Sequence, residues 1–192
     1  FARTLPKAIW DRPWMAPVER IVLVHRLREV MAQVGFTRFE AVSPDIDGEL
    51  EMGVRRASLA REITWLPAVE NRGEGVFIQF KKEAVENWAT RPEVIKQGMR
   101  LYQGYEAWTA ERTGATKKFV EEGGLLPYVL FHSFSHMLIT AVSLECGYPA
   151  SSIRERIYTI PDVGYGVLIY TGTSDAEGTL GGLVQVGRRI HE

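Results

Sequence analysis

The sequence predicts a mixed α/β domain: a mixed sheet packed with helices, one of them a buried central helix at about residues 126–146. Two runs carry that expectation. Val167–Tyr170 is continuously apolar at strand length, and Leu126–Tyr148 (LPYVLFHSFSHMLITAVSLECGY) is apolar nearly all round at helix length. The bulk composition agrees: 192 residues, 45% hydrophobic and 24% charged, are the proportions of a soluble globular chain with one ordinary domain or two small ones.

Taken in order, residues 1–17 carry Pro6, Pro13 and Pro17 and read as an extended arm. From Val18 to Val34 the apolar positions Ile21, Val24, Leu27, Val30, Met31 and Val34 recur at three- and four-residue spacing, which predicts an amphipathic helix capped by Gly35. Arg61–Ala68 and Val76–Phe80 read as two strands joined through ENRGEG as a hairpin. Lys82–Ala89 and Pro92–Arg112 read as helices, with Pro92 suited to a first turn. After the apolar helix, which Gly147 is placed to cap, Ser152-Ile153-Arg154-Glu155 has capping-box spacing and predicts a short helix bearing Arg154 and Arg156. Ile157–Ile160 reads as a short strand, and a last helix is expected from about Thr179 to Val186. This divides the chain into the arm, a helical and hairpin part at 18–115, and a core at 116–192 that reads as truncated on its C-terminal side.

Charge and cysteine content narrow the function. Twenty-three basic and 24 acidic residues leave a formal net charge of -1, which argues against a dedicated basic nucleic-acid module. A single cysteine, Cys146, excludes an intrachain disulfide and points to a reducing, cytoplasmic setting; it also excludes a multi-cysteine zinc site. Plain apolar runs such as Leu125–Phe131 are short of the roughly 20 residues of a membrane span, so no membrane partner is expected. The opening FARTLPKAIW has neither an apolar h-region nor an initiator methionine, and reads as the start of a piece of a longer chain.

Several motifs bear on chemistry. HSFSH places His132 and His136 one helical turn apart, the spacing of metal ligands in zinc proteases, but Ser133 stands where such an enzyme carries its glutamate base. On a helical wheel His132, His136, Thr140 and Ser143 fall within about one quarter of the circumference. The expectation is a pair of core histidines bonded to neighbours, with no tightly bound metal, since one helix supplies two ligands and zinc takes three or four. Asp175 and Glu177 are candidates for acid and base work or for a hard cation, but Thr173, Ser174 and Asp175 equally suit helix capping. Gly178, Gly181 and Gly182 form a structural loop whose spacing matches neither a P-loop nor a dinucleotide fingerprint, so no cofactor is expected. The basic pairs Arg55-Arg56, Lys81-Lys82, Lys117-Lys118 and Arg188-Arg189 can track phosphates or simply be solvated surface. Cys146, at the end of an apolar helix with no adjacent base, reads as inert.

Three blocks together, FHSFSHMLI, SLECGYPASSIRERIY and GVLIYTGTSDAEGTLGGLV, resemble the C-terminal domain of unknown function in the B subunit of DISARM anti-phage systems. That domain type also accompanies or is fused to certain superfamily-two DNA helicases. The resemblance is strongest over residues 128–187, and extends weakly to Ile21–Val30 and the GFTRFE stretch. It implies a non-catalytic partner of a DISARM helicase subunit that helps the helicase engage DNA. Direct contacts are then expected from Arg154, Arg156, Arg188 and Arg189. Members of the family continue past the position of Gly187 into a cysteine-rich segment suited to zinc; with Cys146 alone, this sequence carries over no zinc site. Two other classes stay open: a hydrolase using His132, His136 and Glu177, and a scaffold that binds the helicase without touching nucleic acid.

Overall fold

A computed structural model describes residues 2–6, 12–36, 57, 59, 61–62, 64–110, 124–160, 163–172 and 181–190. Five strands form one antiparallel sheet: β1 (Ala2–Thr4), β2 (Val18–Ala32), β3 (Ala68–Phe80), β4 (Ile153–Ile160) and β5 (Gly164–Thr171), in the order β1-β2-β3-β5-β4. Four α-helices pack with it: α1 (Lys82–Ala89), α2 (Pro92–Ala110), α3 (Leu125–Cys146) and α4 (Gly182–Arg188). The architecture is therefore the expected mixed α/β one.

β5 is the interior strand that its composition predicts. Val167 is fully buried, Ile169 is 2% exposed, and the strand pairs with β3 on one side and β4 on the other. Cross-strand register sorts the side chains into two faces. Ile21 and Leu23 of β2, Val76 and Ile78 of β3, Val167 and Ile169 of β5, and Ile153 and Ile157 of β4 share the face on which the helices lie. Phe131 of α3 closes this core, its ring 4.8 Å from Phe80 and 6.1 Å from Tyr165.

Three expected elements differ. Val18–Val34 is not a helix but the strand β2, paired with β3 from Val18↔Phe80 to Ala32↔Ala68. Its register shifts between Val18 and Arg20 and again between Val24 and Leu27. Each bulge turns a two-residue step into a three-residue one, so a strand takes on the apolar spacing of a helix. Beyond the second bulge the ribbon leaves the core, and Val30 and Met31 are exposed.

ENRGEG is no hairpin. It lies within β3, and of Arg61–Ala68 only Ala68 is in a strand among the described residues. Its glycines serve close strand approach: a Cβ on Gly73 would lie 1.6 Å from the carbonyl oxygen of Thr171. Ser152 does not open a helix either. Its hydroxyl donates to the Pro149 carbonyl at 2.7 Å across a 3₁₀ turn, and the chain continues as β4.

α3 has the expected length, and Gly147 follows it with φ 69°, the left-handed conformation that glycine adopts without strain. Its burial is one-sided. Pro127, Phe131, Ser135 and Ile139, at four-residue steps, are buried, whereas Met137 and Leu144 are 70% and 83% exposed. Taken whole, its 22 residues do have the length and apolar character of a membrane-crossing helix, which the short plain runs concealed. In this fold the helix lies against β4 and β5.

Gly73→Ala is expected to destabilise the protein by about 3 kcal/mol or more, the upper end of overpacking costs, because the clash is with backbone. Urea unfolding checks it; a midpoint equal to the parent's would contradict the close approach of Thr171 to Gly73.

Candidate functional site

The helix-covered face of β4 carries one acid among its apolar residues. Glu155 sits between Ile153 and Ile157 and pairs in register with Ile169, so it points toward α3. There it meets both histidines of HSFSH. His132 Nδ1 lies 2.6 Å and His136 Nε2 3.9 Å from Glu155 Oε1. An ionised carboxylate only accepts, so the bond forms with the His132 tautomer that carries a proton on Nδ1.

Aromatic contacts fix the rings. Tyr128, one turn before His132, stacks on it with ring centroids 5.6 Å apart and an interplanar angle of 9°. His136 meets His132 edge-on at 4.5 Å. Burial, and then the Glu155 charge, push the Tyr128 hydroxyl pKa above its usual value. His132 is hydrogen-bonded to a neighbour, as expected, whereas His136 is only near one, and neither is a core residue: their side chains are 43% and 63% exposed, against 20% for Glu155. The helix backbone around them is held by Ser135, which donates to the His132 carbonyl at 2.9 Å, and Thr140, which donates to that of His136 at 3.0 Å.

Three donors of metal-ligating type thus converge, with ligand atoms all within 4.8 Å of one another. Sequence reasoning found two of them. Glu155 was hidden because the capping-box reading placed it on a helix; alternation along a strand, Ile153-Glu155-Ile157 on one face, is the signal that exposes it.

The remaining candidates are not brought together at this site. Asp175, Glu177 and Gly178 lie outside the described residues, as do Arg55-Arg56 and Lys117-Lys118. Gly181, at φ 128°, precedes α4, and the Gly182 amide donates to the Tyr148 hydroxyl at 3.2 Å. Arg154 and Arg156 project from the opposite face of the sheet, in register with Tyr170 and Leu168. Arg154 lies 3.3 Å from Glu29, and the Arg156 guanidinium carbon is 5.9 Å from the centre of the Tyr158 ring. Arg188 and Arg189 belong to the helix layer, where Arg188 bonds Gln185 and Arg189 lies 2.8 Å from Glu145. Lys81 donates to the Ala16 carbonyl at 2.7 Å, and Lys82 lies 3.8 Å from Glu86. Burial, with Glu74 and Glu145 nearby, raises the Cys146 thiol pKa, which suits an unreactive cysteine.

Fold and site together define an α/β domain with a histidine–carboxylate cluster set between a long helix and an edge strand. The chain is homologous to part of the DISARM protein DrmB of Bacillus paralicheniformis, with 38% identity over 169 residues, 88% of this chain. It spans 29% of that protein's length. No protein-family model matches the chain.

The geometry separates the histidines energetically. His132→Leu leaves a partly buried carboxylate without its donor and is expected to cost about 1–3 kcal/mol. His136→Leu, at an exposed position 3.9 Å away, is expected to cost less than half as much. Metal-free thermal melts of both variants test the order; equal losses would contradict it.

Proposed function

We propose that the chain is part of a non-catalytic subunit of a bacterial, cytoplasmic anti-phage defence complex, which partners a superfamily-two DNA helicase and supports its hold on DNA. The observation that carries this reading is the 38% identity to a DISARM protein across 88% of the chain. The resemblance of the blocks around His132, Arg154 and Leu168 to a helicase-associated domain supplies the helicase.

The surface is compatible with life in a complex. α2 and α3 leave Met99, Trp108, Met137 and Leu144 exposed, more large apolar area than two helices of a solitary domain need show. For DNA, the sheet face away from α3 combines Arg154 and Arg156 with the rings of Tyr158 and Phe77, which meet edge-on at 5.7 Å. Arginine beside half-buried aromatic rings suits phosphates and unstacked bases. Arg188 and Arg189 lie on the other layer, so one duplex reaches both pairs only by wrapping the domain.

The test uses the full-length protein with its helicase partner, and treats the pairs separately. DNA affinity is measured at several salt concentrations for the parent, Arg154→Ala/Arg156→Ala and Arg188→Ala/Arg189→Ala. Each lost phosphate contact should flatten the slope of log K against log salt by about 0.9. The loss should be even across DNA sequences, because phosphate contacts carry no sequence information. If neither double variant changes affinity or slope while the helicase still co-purifies, DNA contact is lost from the proposal and the scaffold reading replaces it. If the helicase does not co-purify with the parent, the partnership itself fails.

A further inference from the structure

We propose that His132, His136 and Glu155 form a binding site for a divalent transition-metal ion of the zinc type, which clasps α3 to the edge strand β4. The donors are two imidazole nitrogens and a carboxylate oxygen, a set that suits zinc and its neighbours rather than magnesium or calcium. They come from two elements, so the ion ties the helix to the sheet.

The distances fit. Ligand atoms about 2.0–2.2 Å from a tetrahedral zinc stand about 3.3–3.6 Å apart. The two nitrogen-to-oxygen separations here, 2.6 and 3.9 Å, lie on either side of that spacing. Small side-chain rotations therefore open a cavity for the ion. Zinc binds the Nδ1 lone pair of the neutral ring, whose proton then sits on Nε2, so one hydrogen bond is exchanged for three metal bonds.

A second observation concerns the carboxylate. Among the described residues, Glu155 Oε2 is buried without a hydrogen-bond partner, and the ion-pair partners of Glu155 are the two histidines. A metal ion at Oε1, or shared by both oxygens, supplies the positive charge that an under-bonded, largely covered carboxylate lacks. The exposure of the histidines gives the ion a path in, and the Tyr128 stack holds the His132 ring.

Three protein ligands leave one position of the tetrahedron to water or an anion. Ser133 occupies the place of the protease glutamate and is exposed, so this cluster offers no carboxylate base at that position to activate the water. The role that follows is a clasp: binding to the folded state stabilises it by mass action and fixes an otherwise unpaired sheet edge against the helix.

The experiment takes the purified, tag-free chain, strips it of metal, and titrates it with zinc and then with cobalt, following heat, visible absorption and thermal unfolding. The expected result is one equivalent bound, a higher Tm with zinc, no such rise with magnesium, and cobalt bands of a low-coordinate nitrogen and oxygen site. Losing even an outer-shell partner of a metal site costs about 10–100-fold in affinity, so Glu155→Gln and His136→Ala should each lose about 100-fold or more. His136 is exposed, so His136→Ala folds without repacking and decides the matter even if Glu155→Gln does not fold. Absence of saturable zinc and cobalt binding in the parent overturns the proposal. So does binding that persists in His136→Ala but disappears in Cys146→Ser, which would place the ion at the thiol.

Discussion

Glu74 is a carboxylate 2% exposed, set in β3 between two glycines and turned toward the helix layer. Burying a carboxylate costs several kcal/mol unless hydrogen bonds replace the lost water. Here the Leu183 amide donates to Glu74 Oε1 at 2.8 Å, and the β3 backbone nearby is held by Thr171, whose hydroxyl accepts from the Glu74 amide at 3.2 Å. The carboxylate thereby satisfies an amide at the start of α4, a seven-residue helix too short to persist alone. α4 lays Leu183, Val184 and Gly187 on the sheet, with Gly187 so near Val76 and Leu23 that a Cβ would fall 2.6 and 2.7 Å from their side chains. The same turn reaches α3, because the Tyr148 hydroxyl accepts from Gly182 and its carbonyl accepts from Ser143. The Glu74 carboxyl group joins the centre of the sheet to the short helix, and Tyr148 joins that helix to the end of the long one.

That junction also shows where the sequence is legible. β5 and α3 are plain because each is buried or apolar over a full element length, a signal that no neighbour needs to complete. β2, β3 and β4 are obscured because their patterns answer to partners far along the chain. Bulges in β2 put three-residue steps between Val18 and Ile21 and between Val24 and Leu27, which mimic a helix. Gly73 and Gly75 look like turn residues until Thr171 and Ile169 of β5 are seen to pass beside them. Glu74, flanked by those glycines, reads as a solvent-exposed loop acid, and only the tertiary fold turns it inward. Ser152 and Glu155 have helix-start chemistry, but β5 offers a complete ladder to residues 153–160, and tertiary pairing outweighs a local cap worth about 1 kcal/mol.

The same reasoning explains which part of the cluster could be foreseen. His132 and His136 are related by helical geometry alone, so the sequence shows them as a pair. Glu155 joins them through the packing of α3 on β4, a relation over 23 residues that depends on a strand in place of a helix. The expectation of core histidines rested on α3 being buried all round. Its polar stripe instead lies at the margin of the contact with β4, where an edge strand ends the sheet and solvent begins.

β1 and β4 are the two edges of this sheet, and they are treated differently. β1 is three residues long, too short to template further pairing. β4 is eight residues long and would be the more exposed liability. Its protection comes from both faces: α3 contacts one side through Glu155, while Arg154 on the other is tied to Glu29 of β2, whose carboxylate also accepts from the Tyr170 hydroxyl at 3.0 Å. Ion pairs at partly exposed positions contribute little individually, typically about 0–1 kcal/mol. Placed on opposite faces of one edge strand, they act on its orientation more than on its stability, holding Glu155 toward the histidines and Arg154 toward Glu29. The chemistry available on each face of the domain is therefore set by how firmly this one strand keeps its alternation.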